Sequence, residues 1–169
     1  NPLQQQFRQH FISKTQNDNI TIYDFFETGS HDLWIGSSKG IYIRKNGELN
    51  FVLKPIIYKD KELYVSKFYK SKNGDLFIGT NYSLFVLDPH KFSLGLLKNT
   101  DKDSVINQII KSHIVSVAED SYNNEPVLIA SPYGHFLAYY FWSRNKWVTR
   151  LDTAMNILAN FNIRDNLVK

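Results

Sequence analysis

Asp32-Leu33-Trp34-Ile35-Gly36-Ser37 returns 43 residues later as Asp75-Leu76-Phe77-Ile78-Gly79-Thr80, and these two hexapeptides decide the fold. An acid, an apolar residue, a large aromatic, isoleucine, glycine and a hydroxyl recur in one order. A weaker third copy reads Pro126-Val127-Leu128-Ile129-Ala130-Ser131. Self-similarity at a fixed period marks stacked supersecondary units, none of which buries its apolar face alone. Each copy runs on through a small or flexible residue to an aromatic: Gly40-Ile41-Tyr42, Ser83-Leu84-Phe85 and Gly134-His135-Phe136. Upstream, Ile22/Phe25 and Val65/Phe68 keep one offset from the motif, and Ile114/Val117 stands two places further back. Gly79 to Ala130 is 51 residues and Val65 to Ile114 is 49. The spacing therefore places the extra residues in loops, most of them before Ile114 and two around 122–125.

Within each unit, β-branched and aromatic runs separated by Gly, Asn and Asp predict four strands. They fall at 20–26, 32–37, 41–45 and 49–54; at 63–70, 75–80, 84–88 and 92–98; and at 113–119, 126–131, 135–142 and 146–151. Lys45-Asn46-Gly47-Glu48 and Asn73-Gly74 mark hairpin turns, since Asn-Gly between apolar runs is the strongest short hairpin signal. Four-stranded meanders at a period of roughly 40 to 50 residues predict propeller blades. The competing reading is a sandwich of unrelated hairpin pairs, which leaves the recurrence of motif, phase and terminal aromatic unexplained.

Composition sets the outer bounds. The chain has 169 residues, 43% hydrophobic and 21% charged, the balance of a soluble globular chain with a core. No run approaches the ~18 to 20 unbroken apolar residues of a membrane helix. The net charge of +4 is modest and scattered, with no Lys/Arg run to track phosphates, so no nucleic-acid partner is expected. Absence of cysteine removes disulfides, thiolate catalysis, zinc–thiolate sites and iron–sulfur clusters, and leaves the compartment open. Ten Tyr, twelve Phe and three Trp favour strands. Asn1-Pro2-Leu3, with neither initiator Met nor signal sequence, reads as the start of a processed or excised piece. Against a 43-residue repeat the length is just under four units, whereas closed propellers have typically 4 to 8 blades.

Asp32-Leu33-Trp34-Ile35-Gly36-Ser37, continued by Gly40-Ile41-Tyr42, resembles the two-component regulator propeller repeat. Phe7-Arg8-Gln9-His10-Phe11 is similar to the lead-in of a blade in such proteins. The resemblance covers about residues 7–151 and is strongest in the first two units. It implies the extracytoplasmic sensor region of a hybrid histidine kinase, of the kind found in gut Bacteroidetes, many of which detect polysaccharide breakdown products. It further implies a periplasmic location and a glycan-derived ligand whose binding controls transcription across the membrane. The third unit departs from the pattern, with Leu128 and Ala130 in the places of Trp and Gly. The acidic position before the first turn survives only as Glu119-Asp120, against Glu27-Thr28 and Lys70-Ser71.

No catalytic constellation emerges. His10, His31, His90, His113 and His135 are dispersed without metal-ligand spacing, and neither a nucleophile elbow nor a Gly-rich phosphate cradle occurs. The chain is read as non-enzymatic, with no metal and no cofactor. Glu119 and Asp120, adjacent on a strand, point to opposite faces and predict structural bonds. Trp34 and Phe77 predict packing between sheets, Gly36 and Gly79 close approach, and Ser37, Thr80 and Ser131 turn bonds. Trp142 and Trp147, with Tyr139, Tyr140 and Phe141, predict core packing around the last hairpin, or a partner surface if exposed. Asp101-Lys102-Asp103 reads as a solvated charge run. Five places after the Trp, Phe and Leu stand Lys39, Tyr82 and Tyr133, beside Ser38, Asn81 and Pro132. Equivalent loops of successive blades share one mouth, so Lys39, Asn81, Tyr82 and Tyr133 are the candidate ligand-binding residues, suited to an oligosaccharide.

The expected organisation is a lead-in strand at 1–18, blades at 19–54, 55–98 and 99–151, and the start of another blade at 152–169. That is an all-β partial propeller of three four-stranded antiparallel blades with terminal remnants. Its open edges predict cover by other blades of the same receptor or by a second copy in a homodimer. This segment itself is expected to make no membrane contact. Two further function classes stay open: a protein-interaction propeller without a small ligand, and a lyase of the streptogramin-lyase type, whose repeats are loosely similar.

Overall fold

The computed structural model describes Ile12 and residues 19–100, 102–122 and 124–149. The expected lead-in strand at 1–18, Ile12 apart, and the expected blade start at 152–169 lie outside the described residues. What is described is all-β: three four-stranded antiparallel sheets, a two-stranded ribbon, one short α-helix and a 3-10 turn at Trp142–Arg144.

The first sheet runs β1 (Ile22–Glu27), β2 (Leu33–Ser37), β3 (Gly40–Arg44) and β4 (Val52–Lys54), each strand paired with the next. A ribbon follows, β5 (Ile56–Tyr58) with β6 (Lys61–Leu63). The second sheet is β7 (Val65–Lys70), β8 (Leu76–Thr80), β9 (Leu84–Asp88) and β10 (Ser93–Leu96). Helix α1 (Ser104–Ile109) leads to the third sheet, β11 (Ile114–Tyr122), β12 (Glu125–Pro132), β13 (Ala138–Phe141) and β14 (Lys146–Val148). The twelve sheet strands match the sequence reading to within a few residues at their ends.

The predicted turns form where glycine supplies left-handed backbone. Gly47 and Gly74 have φ of 79° and 93°, and Glu48 N–H and Gly74 N–H close their turns on Lys45 O and Ser71 O. The ribbon escaped the sequence reading because its turn, Lys59-Asp60, has φ of 49° and 60° at two non-glycine residues. Helix α1 escaped it too. Asp103, read as part of a solvated charge run, is instead its N-cap: Oδ1 accepts from Val105 N–H (2.8 Å) and Ile106 N–H (3.4 Å). A short carboxylate reaches the exposed N–H groups of a first helical turn.

The sheets stack face to face in chain order, with β1 against β7 and β7 against β11. Trp34 enters the core between the first and second sheets, with Phe68, Ile78 and Phe85. Phe77 enters the core between the second and third, with Leu128, Ala130 and Tyr140. Trp34 stacks on Phe92 at 5.2 Å, and Phe26 and Phe68 meet its edge. The repeat glycines lie where the next sheet comes closest. A Cβ on Gly36 would stand 2.6 Å from Val65 O, and one on Gly79 2.9 Å from Ile114 O. Only hydrogen fits at those distances.

Pairing in the third sheet departs from the sequence alignment by one residue. Ile22 pairs with Ser37 and Val65 with Thr80, but Ile114 pairs with Pro132. Ile129 and Ser131 therefore hold the register places of Trp34/Phe77 and Gly36/Gly79, which the alignment gave to Leu128 and Ala130. Those two lie on the opposite face, in the core shared with the second sheet, while Ile129 packs on the other side with Val127, Tyr139 and Phe141. The cause is a longer hairpin: Asp120–Val127, Ser121–Pro126 and Tyr122–Glu125 add three pairs beyond Glu119–Leu128. A one-residue slip exchanges the two faces of a strand.

Candidate ligand-binding face

β1, β7 and β11 begin at the end of their sheets where β2, β8 and β12 finish. The turns at 38–39, 81–82 and 133–134 thus stand beside residues 21, 64 and 113, and the adjacency of the first strands brings all three together. Hydrogen bonds fix the correspondence. Thr21 N–H donates to Ser38 Oγ (3.0 Å) and Ser38 N–H to Thr21 O (2.9 Å). Tyr64 N–H donates to Asn81 Oδ1 (2.9 Å), and Tyr133 N–H to His113 O (2.7 Å). Register places Tyr133 with Ser38 and Asn81, and Gly134 with Lys39 and Tyr82, one position from the sequence alignment.

The turns are held from within. Ser37 Oγ donates to Gly40 O (3.0 Å) and accepts from Lys39 N–H. Thr80 Oγ1 donates to Ser83 O (2.8 Å) and accepts from Tyr82 and Ser83 N–H. These are the structural roles expected of Ser37 and Thr80; Ser131, of which the same was expected, stands instead in the register place of Gly36, paired with Ser116. In the third turn Pro132 takes the place of Ser37 and Thr80, and His135 N–H closes the turn on Pro132 O with Gly134 at φ 74°.

Of the four expected binding residues, two are engaged in structure. Asn81 caps Tyr64. Tyr82 is half-buried, 5.6 Å from the Tyr58 ring and stacked on Phe85, so it seats the β5–β6 ribbon on the second sheet. Lys39 and Tyr133 are exposed, Tyr133 at 71%. Sequence reasoning missed a run of ring contacts that begins at Tyr133. His113 stacks beneath it with ring centres 6.0 Å apart and planes at 29°, and Tyr23 meets His113 edge-on at 6.5 Å and 70°. Tyr23 sits at an irregularity in β1 between Ile22 and Asp24, and Ser66 and Val115 sit at the same irregularity in β7 and β11. A bulge re-aims the side chain it carries. No sequence period announces it.

Asp24, Ser66 and Glu119 bond across adjacent sheets. Asp24 Oδ2 accepts from Phe68 N–H (2.8 Å) and pairs with Lys67 Nζ (3.1 Å). Ser66 Oγ donates to Ile114 O (2.6 Å). Glu119 Oε2 accepts from Lys72 N–H (2.9 Å) and from Tyr69 Oη (3.3 Å), whereas Asp120 is exposed. Burial, then the charge of Glu119, raises the Tyr69 phenol above its ordinary pKa. Tyr139, Tyr140, Phe141 and Trp147 are buried, Trp142 is half-buried, and Trp142 and Trp147 both contact Tyr140.

Among the described residues no group of three or more His, Asp or Glu side chains is placed to hold a metal ion. No described helix is long and apolar enough to cross a membrane. A concavity of about 430 Å³ lies at the far end of the second sheet, lined by residues including Asp75, Asp88 and Leu94, with none of the expected binding residues in it. Compared with known proteins, the chain matches no family model and no curated relative.

Proposed function

We propose that the three sheets are consecutive blades of a β-propeller, and that the chain is an extracytoplasmic ligand-sensing region of a hybrid two-component histidine kinase. The ligand is a glycan fragment, and its binding changes how blades or subunits pack, which sets the kinase state. The blade reading is supported by equal four-stranded meanders with adjacent first strands. The glycines that admit the first strand of each next sheet support it further. The observation that carries the ligand reading is the gathering of three equivalent turns at one end, where Lys39 and Tyr133 remain exposed. The motif resemblance supplies the signalling context.

Two measurements test it. The reading frame beyond Lys169 is expected to continue into a membrane helix and a kinase; its absence would remove the sensor reading. Calorimetry of the full chain against defined oligosaccharides is expected to give heat with at least one, and uniform silence would count against a glycan. A protein-interaction module is the second reading, favoured by the exposed apolar edge of the first sheet, where Leu49 and Val52 are 70% and 63% exposed. Pull-down of a protein partner together with calorimetric silence would select it.

A further inference from the structure

We propose that Tyr23, His113 and Tyr133 form the seat for one pyranose ring, an aromatic platform shared between the first and third sheets. This rests on the glycan reading and names its subsite. Two departures from the repeat converge on one histidine. At the first turn position, Ser38 and Asn81 cap the backbone of residues 21 and 64, whereas the third sheet places a tyrosine whose ring lies on His113 and faces solvent. At the bulge position, Ser66 turns down onto Ile114 O and Val115 is aliphatic, whereas the first sheet places Tyr23, which extends to the third sheet and meets the His113 ring edge-on. Either tyrosine alone is an ordinary exposed aromatic. Together they build one surface from residues 110 positions apart in the chain.

The chemistry of that surface selects its occupant. A pyranose has an apolar face of C–H bonds and a rim of hydroxyls. The platform has an exposed phenol plane for the face, with two phenol hydroxyls and an imidazole for the rim. Stacking uses area that 71% exposure of Tyr133 leaves in water. The purely structural role of the trio is to tie the first and third sheets together, and it requires no ligand.

The test titrates the full chain with defined gluco-, manno-, galacto- and xylo-oligosaccharides, followed by calorimetry and by NMR of the aromatic side chains. At least one sugar is expected to bind, shifting the His113 ring-proton signals and receiving saturation transfer from Tyr133. Tyr133→Ala and Tyr23→Ala are each expected to weaken binding tenfold or more, while Tyr133→Phe stays within about threefold. Thermal unfolding of each variant checks its fold, and the ring-proton shifts of the unaltered chain decide the matter if a variant does not fold. Binding that leaves the His113 signals unmoved and survives Tyr133→Ala overturns the platform while the sensor reading stands. No binding by any oligosaccharide overturns both.

Discussion

A single missing carbon decides how closely the sheets approach. Gly36 and Gly79 face backbone carbonyls of the next sheet's first strand, which cannot rotate aside, so Gly36→Ala is expected to cost about 1–3 kcal/mol through local strain. Gly29 has nothing within 4 Å of a built Cβ, so Gly29→Ala is the matched control and should change stability little. Urea unfolding of the two variants separates the close-approach explanation from a general effect of glycine replacement. Trp34→Ala, which empties a site in contact with three aromatic rings, is expected to cost about 3–5 kcal/mol by the same assay. The roles of Trp34, Phe77 and the two glycines were legible because large and absent side chains recur at fixed spacing. Those of Leu128 and Ala130 were not, because composition survives a one-residue slip in register and facing does not.

Strands were the readable elements. Asn-Gly turns and alternating apolar runs located all twelve sheet strands, since both signals are local. The ribbon and α1 were hidden for different reasons. Lys59-Asp60 adopts left-handed backbone without the residue types that announce it, and a six-residue helix is too short to show a 3.6-residue period. Each hidden element has a test. Asp60→Gly, at φ 60°, is expected to raise stability by about 0.5–1 kcal/mol, because glycine enters that region without steric cost. An unchanged or lowered urea midpoint would contradict the turn geometry. Asp103→Ala removes both cap bonds of α1 and is expected to cost about 1 kcal/mol, with faster amide exchange at Val105 and Ile106. The candidate binding face was half legible for a related reason: equivalent turns can be aligned from sequence. That Asn81 caps a strand, or that Tyr23 on its bulge meets His113, depends on contacts across 17 and 90 residues.

Across the molecule, burial of phenols ties stability to alkaline pH. Tyr69, Tyr139 and Tyr140 are all raised above the ordinary tyrosine pKa, burial being the largest cause in each, followed by Glu119 for Tyr69 and Asp120 for Tyr139. A raised folded pKa favours the neutral phenol in the native state. Its stabilising contribution is therefore complete below the unfolded pKa of about 10 and disappears as pH rises through the folded values. Urea midpoints for these phenols' contribution are expected to stay level to about pH 9 and then fall, less steeply in Tyr140→Phe. A midpoint rising above pH 10 would refute the assignment. Stacked sheets that touched only their neighbours would behave as a linear array, able to fray from either end without disturbing the other. Tyr23 against His113 adds a direct coupling from the first sheet to the third, closing a loop of three interactions. In such a loop the terminal sheets share one opening free energy: amides of β1 and β11 should exchange together, and Tyr23→Ala should let them part.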